Sequence, residues 1–207
     1  MTATDFGQLP AGQLDQFITE HRLPAAFSEL ARTHFTLLAH WAGLKRDPGR
    51  TLFLGINGAQ GTGKSTLADF LRVTLESVAG WRVACLSIDD FYLTRHERER
   101  LAQDIHPLLR TRGVPGTHDM AMLADCVQRL GELDRGETLA LPRFDKATDD
   151  RAPVDSWPTI TGPIDLIILE GWCVGSRPQT DAELQEPVNA LEREQDADGS
   201  WRRFVNA

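Results

Sequence analysis

The chain has 207 residues, enough for one domain of ordinary size with a substantial buried core. It is 41% hydrophobic and 25% charged with a formal net charge of −8, a globular composition whose acidity counts against nucleic acid as a partner. Three cysteines, Cys85, Cys126 and Cys173, lie far apart without CxxC spacing, so buried reduced thiols are expected rather than a disulfide framework or a zinc site.

The first residues, MTATDFGQLPAGQLDQF, lack a basic segment followed by an apolar run, so no secretory signal is expected. No apolar stretch approaches the roughly 18 residues of a membrane span, which makes the cytoplasm the expected location and a membrane an unexpected partner. Residues 1–48 read as a helical extension. Leu14, Phe17 and Ile18 fit one short face, and Phe27, Leu30, Ala31, Phe35, Leu38 and Trp41 recur at near-helical spacing from Pro24 to Leu44. Lys45 to Arg50 then breaks the helix. Thr51 to Ile56 is a short apolar run of the kind buried on both faces of a parallel sheet. A glycine-rich loop follows, then a helix on which Leu67, Phe70, Leu71, Leu75 and Val78 recur, closed by Gly80. Trp81 to Ile88 reads as a second buried strand. Thr94 to Glu97 is a capping box that opens a charged helix ending before Pro107. Met120, Leu123, Val127 and Leu130 mark another helix. Residues 136–163 show little periodicity and read as a long functional loop. Ile164 to Leu169 is a third buried strand, and a last helix is expected between 181 and 195. The alternation predicts an α/β fold with a parallel sheet and the whole of 1–207 as one domain; the loop Gly58 to Ser65, matching Gly-x-x-x-x-Gly-Lys-Ser between the first strand and its helix, makes the expected type the three-layer P-loop NTPase fold.

The loop Gly58-Ala59-Gln60-Gly61-Thr62-Gly63-Lys64-Ser65, followed by Thr66, matches Gly-x-x-x-x-Gly-Lys-Ser in full between a predicted strand and a predicted helix. Glycines let successive backbone N–H groups turn toward phosphate oxygens, and the helix beginning near Lys64 adds its positive end. Lys64 supplies a charge for the β and γ phosphates, and the Ser65 hydroxyl can ligate Mg²⁺, so ATP with magnesium is the expected pair of cofactors. In open α/β sheets, ligands bind beyond the carboxyl ends of strands. There the second strand delivers Asp89 and Asp90, candidates for a general base or, alternatively, turn caps. The third strand runs into Glu170-Gly171-Trp172, a Walker B form whose carboxylate can hold magnesium. Two further segments suggest an anion-binding acceptor site. Arg112 and His118 flank a Gly/Pro turn, where Asp119 serves equally well as cap or functional group, and Pro142-Arg143-Phe144-Asp145-Lys146 places two cations in the long loop.

Together, GAQGTGKST, SIDDFYLT, RGVPGTHD, PRFDKA and LEGWCVG resemble, in that order from about residue 53 to 177, the D-glycerate 3-kinase family. Its wider relatives are uridine kinase, phosphoribulokinase and pantothenate kinase. The resemblance implies that Asp89 activates the acceptor hydroxyl and joins Ser65 and Glu170 near magnesium. It also implies that Asp90, Tyr92, Arg112, His118, Asp119, Arg143 and Lys146 face the acceptor or the transferring phosphoryl group. Two departures stand out. The stretch Ala147 to Arg151 is shorter than is usual in the family. Members also continue past a Trp-Arg-x-x-Val-Asn segment, whereas this sequence closes at Trp201 to Ala207, so the part that completes the sheet and the adenine pocket is expected to be absent. The implied activity is transfer of the γ-phosphoryl group of ATP to a small hydroxy acid, D-glycerate first. A nucleoside, pantothenate or sugar-phosphate kinase, or an ATP-binding protein without transferase activity, are the alternatives. No Asn-Lys-x-Asp string points to a GTPase.

Overall fold

The computed structural model describes residues 8–207. The expectation of no signal segment falls partly on residues 1–7, outside the described residues. In chain order the elements are α1 (Ala11–Glu20), α2 (Phe27–Leu30), a π turn (Ala31–Phe35), α3 (Thr36–Lys45), β1 (Leu52–Asn57), α4 (Lys64–Ala79), β2 (Val83–Ser87), a 3₁₀ turn (Ile88–Phe91), α5 (Arg95–Asp104), α6 (Met120–Glu132), β3 (Thr138–Ala140), β4 (Phe144–Asp145), β5 (Asp150–Arg151), β6 (Thr159–Thr161), β7 (Leu166–Gly171), α7 (Ala190–Gln195) and α8 (Ser200–Asn206). They form two compact units. The first is Met1–Ser87, Cys126–Leu139 and Thr159–Val174; the second is Ile88–Asp125, Ala140–Pro158 and Gly175–Ala207. No helix among the described residues is long and apolar enough to cross a membrane.

The first unit carries a parallel sheet of order β1-β7-β2. β7 is central, and all six of its residues are buried, as a continuous apolar run between two neighbours requires. β1 was expected to be buried on both faces, but it lies at the sheet edge and its residues alternate in exposure, with Phe53 48% exposed. A short apolar run does not say which of its faces is covered. Ala68, Leu71 and Leu75 of α4 pack with Leu166 and Ile168 of β7, alongside Trp81 and Val83. Burying such side chains stabilises by roughly 1.5–3 kcal/mol each.

The helical extension packs on α4. Phe17 and Phe27 meet Phe70, their ring centroids 5.6 and 6.4 Å from it, and Phe35 approaches the same ring at 5.5 Å. Of the expected helix face, Phe27 and Ala31 are buried, but Leu30, Leu38 and Trp41 are 44%, 41% and 44% exposed. The buried positions of α3 are Ala39 and Ala42. For Leu38 and Trp41, which follow it, the π turn is the reason: it spends an extra residue on one turn, so the inward face moves on by one position.

In the second unit the capping box is present as expected. The Glu97 N–H donates to Thr94 Oγ1, and Glu97 Oε2 accepts from the Thr94 N–H at 2.8 Å. The segment 136–163 is not a bare loop. β4 and β5 form an antiparallel hairpin pairing Phe144 with Arg151, and β3 pairs with β6. Strands of two or three residues are too short to leave a periodic signal. The last helix also differs from expectation. Only Ala190–Gln195 is α-helical, while residues 181–186 form turns ahead of Pro187, which disfavours helix in the residue before it. Cys126 is buried, and Cys85 and Cys173 are half-buried.

Candidate functional site

The phosphate loop and a carboxylate–hydroxyl pair

In the first unit, residues 58–63 join the end of β1 to the start of α4, the setting the motif needs. Gly63 is the residue before the helix and has φ +87°, a left-handed conformation that a side chain would strain. A Cβ at Gly58 would stand 2.9 Å from Thr62 Oγ1. The loop is thus shaped by positions that only glycine fills easily, and the first-turn N–H groups of α4 have no intrahelical acceptors. Lys64 Nζ donates to the Ala59 carbonyl at 2.9 Å, which folds the ammonium back over its own loop.

The parallel register pairs Ile56 and Ser87 with Glu170, and Asn57 with Gly171. Glu170 therefore lies at the carboxyl end of the central strand, 9% exposed, with Oε1 accepting from the Ser65 hydroxyl at 2.8 Å. A hydroxyl and a carboxylate in contact at the foot of a phosphate loop suit magnesium, which takes one or two protein oxygens and completes its shell with water and phosphate. Among the described residues no three His, Cys, Asp or Glu side chains gather as a metal cage, and this kind of site needs none.

The acidic and basic cluster of the second unit

Asp89 and Asp90 lie on the 3₁₀ turn two and three residues beyond β2. Asp89 accepts from Lys146 Nζ at 2.6 Å and from the Tyr92 hydroxyl at 3.0 Å. Burial pushes its carboxyl up, but the bonds from Lys146 and Tyr92 and the Lys146 charge outweigh that and hold it below the ordinary aspartate range. Asp90 accepts from Arg143 Nη1 at 3.0 Å and from the Phe144 N–H at 3.3 Å. Burial dominates there, and with the neighbouring Asp89 charge it raises Asp90 despite Arg143. Two adjacent carboxylates thus differ in character: one stays ionised on an exposed lysine, and the other braces the hairpin.

His118 stacks on Tyr92 with ring centroids 4.4 Å apart and is 6% exposed, its Nε2 buried without a hydrogen-bond partner. Burial lowers its pKa to about 4, against a smaller raising effect of Asp89, so the ring is neutral near pH 7. Unfolded histidine titrates near pH 6.5. Below that pH the unfolded chain takes up a proton that the folded chain refuses, so stability from this group is complete above about pH 6.5 and is lost as pH falls toward about 4. Between pH 6.5 and 5 the loss is about 2 kcal/mol. Denaturant unfolding across this range should show that His118→Gln is flatter by this amount; parallel curves would contradict the assignment.

The turn before His118 is held tightly. Thr117 Oγ1 donates to the Val114 carbonyl at 2.6 Å and accepts from the Gly113 N–H at 3.2 Å. Gly116 has φ +88°, and a Cβ there would meet Phe204 at 2.7 Å. Asp119 caps α6, Oδ1 accepting from the Met122 N–H at 2.9 Å, and Oδ2 accepts from Arg151 at 3.0 Å. Arg112 pairs with Asp149 and lies over the Phe144 ring at 5.4 Å.

Asp89, Tyr92, His118 and Lys146 are thus brought together, as are Asp90 and Arg143. Arg112 and Asp119 are engaged by Asp149 and Arg151, two residues the sequence reading did not single out. It also passed over Arg98, which is 1% exposed and donates to the carbonyls of Leu93, Arg110 and Asp149 at 3.2, 2.8 and 2.7 Å. Nothing in the charged run RHERER marks Arg98 as the inward residue. For Asp149, the sequence does hold a signal: aspartate tolerates the left-handed conformation it adopts, φ +57°, between two short strands.

No family model matches the chain. It is 31% identical over 173 residues to D-glycerate 3-kinase, chloroplastic, of Arabidopsis thaliana, covering 75% of this chain and 36% of that protein. It is 36% identical over 138 residues to a probable ATP-dependent kinase, TDA10, of Saccharomyces cerevisiae, covering 61% of this chain and 47% of that one. Among solved structures, the D-glycerate 3-kinase of Cryptococcus neoformans superposes with a TM-score of 0.60 at 30% identity, over 94% of this chain and 60% of the other. The chain spans from about a third to about half the length of these two curated relatives.

Proposed function

With homologues that are D-glycerate 3-kinases and related ATP-dependent kinases, we propose that this chain carries out ATP-dependent phosphorylation of a small hydroxy acid, D-glycerate before others. The observation that carries the proposal is the complete phosphate loop between β1 and α4, with Ser65 on the buried carboxylate of Glu170.

In this reading the amides of Gly58 to Thr66 and the Lys64 ammonium hold the triphosphate. Ser65 and Glu170 would hold magnesium, which would supply charge neutralisation for the β and γ phosphates. Asp89 accepts the proton of the acceptor hydroxyl. A carboxylate held low is a weak base, so Lys146 must turn from Asp89 toward the incoming anion, and its 59% exposed side chain is free to do so. Tyr92 orients Asp89, and the neutral His118 offers its unpartnered Nε2 for a hydrogen bond. Arg143, held by Asp90, forms the cationic side that faces the acceptor carboxylate and the phosphoryl group in flight. The two units serve this one reaction as a single kinase domain, with residues 1–48 as its helical extension. The substrate is a small molecule, and the cytoplasm is the compartment in which we expect it.

The test is ADP release by this 207-residue chain with Mg·ATP and a panel of D-glycerate, other hydroxy acids, uridine and pantothenate. D-glycerate should exceed every other acceptor by at least tenfold in kcat/KM. ADP release that no acceptor stimulates, or faster release with a nucleoside, would contradict the reading.

A further inference from the structure

The second unit contains a cavity of about 540 Å³ that neither the phosphate loop nor the Asp89 cluster lines. Four arginines, Arg95, Arg98, Arg110 and Arg112, stand around it with only two carboxylates, Glu99 and Asp149. This local excess of positive charge sits in a chain whose net charge is −8.

The four arginines are not equivalent. Arg98 and Arg112 are held in place. Arg98 is spent on three carbonyls and on Asp149, to which Arg112 also donates, and both lie over the Phe144 ring, at 5.9 and 5.4 Å. Burial pushes the Asp149 carboxyl up, but the bonds from these two guanidinium groups prevail and keep it ionised. One carboxylate thus faces two fixed cations. Arg95 gives its Nε to Glu99 at 3.2 Å and is 64% exposed. The exposed Arg110 side chain makes no hydrogen bond or ion pair among the described residues. The wall therefore combines a rigid, under-neutralised half with two arginines able to swing onto a ligand. Forked guanidinium groups of this kind match phosphate oxygens in pairs. The surplus of two positive charges equals that of a phosphate dianion, and the volume falls in the range of metabolite pockets.

We propose that this cavity is a second anion site, distinct from the ATP loop, which binds phosphate or a small phosphate ester through Arg95 and Arg110 against the fixed pair Arg98 and Arg112. The site does not depend on the identity of the acceptor.

The phosphate loop can itself take up phosphate, so the test begins from Lys64→Ala. Calorimetric titration of that variant with inorganic phosphate, with glycerol 3-phosphate and with acetate is compared with the same titrations of Lys64→Ala/Arg95→Gln/Arg110→Gln. The first protein should bind both phosphate compounds, and the triple variant should bind them at least tenfold more weakly. Tighter binding of the ester than of inorganic phosphate identifies an organic ligand; equal binding identifies free phosphate. Equal affinity in the two proteins, no phosphate binding by Lys64→Ala, or acetate binding as tightly as phosphate would overturn the proposal. Arg95→Gln/Arg110→Gln with Lys64 intact should keep its affinity for Mg·ATP, which shows that the changes leave the fold in place.

Discussion

Asp89→Asn should lower kcat for phosphorylation of D-glycerate by roughly 10²–10⁴-fold while Mg·ATP affinity changes by no more than about threefold. The amide keeps the size of the side chain and can still accept from Tyr92, but it cannot take a proton and cannot pair with the Lys146 ammonium. A group that acts only as the acceptor hydroxyl loses its proton affects kcat and kcat/KM together. Steady-state kinetics with D-glycerate, beside calorimetry with ATP, separates the two quantities. Turnover within about threefold of the parent would remove Asp89 from the role. A parallel collapse of ATP affinity would assign it to nucleotide binding instead.

Arg98→Met should destabilise the protein by about 3 kcal/mol, the upper end for stranding buried acceptors. The methionine fills much of the space but strands the carbonyls of Leu93, Arg110 and Asp149 and leaves the Asp149 carboxylate with one fewer donor. These acceptors come from three separate stretches of the second unit, so the loss is felt at the end of the 3₁₀ turn region, before the Arg112 segment and in the β4–β5 hairpin alike. Set against a typical total stability of about 5–15 kcal/mol, such a loss is a large fraction of the whole. Denaturant unfolding measures it directly. Arg95, an exposed neighbour on the same helix, gives the contrast: Arg95→Gln should cost no more than about 0.5 kcal/mol. Equal effects at the two positions would mean that the Arg98 bonds do not brace this unit.

What the sequence could and could not announce follows from the range of the forces involved. The phosphate loop, α4 and β7 were legible because each is coded locally: glycines at fixed spacing, one helical stripe, one apolar run closing on Glu170. The capping box of α5 is equally local, since Thr94 and Glu97 satisfy one another within a single turn. The exposed face of β1 was not legible, because burial of Phe53 depends on what lies beside the strand and not on the run LFLGIN. The shift from Leu38 and Trp41 to Ala39 and Ala42 arises from one π turn, which no residue in ARTHF announces. In the acidic and basic cluster, the candidates Asp89, Asp90, Tyr92, His118, Arg143 and Lys146 could be named from their motifs. Which of them would pair could not, since Lys146 and Asp89 are 57 residues apart. Arg98 and Asp149 were passed over for the same reason, each being meaningful only through partners distant in the chain.

The central claim is that the amides of the glycine loop and the Lys64 ammonium clasp the phosphates of ATP at the head of α4. Calorimetry of Mg·ATP with the parent chain and with Lys64→Ala tests it most directly. The account predicts saturable binding by the parent and a loss of at least tenfold in the variant, on the scale of one charge-assisted contact of roughly 1.5–3 kcal/mol. Equal affinity in the two proteins would contradict it.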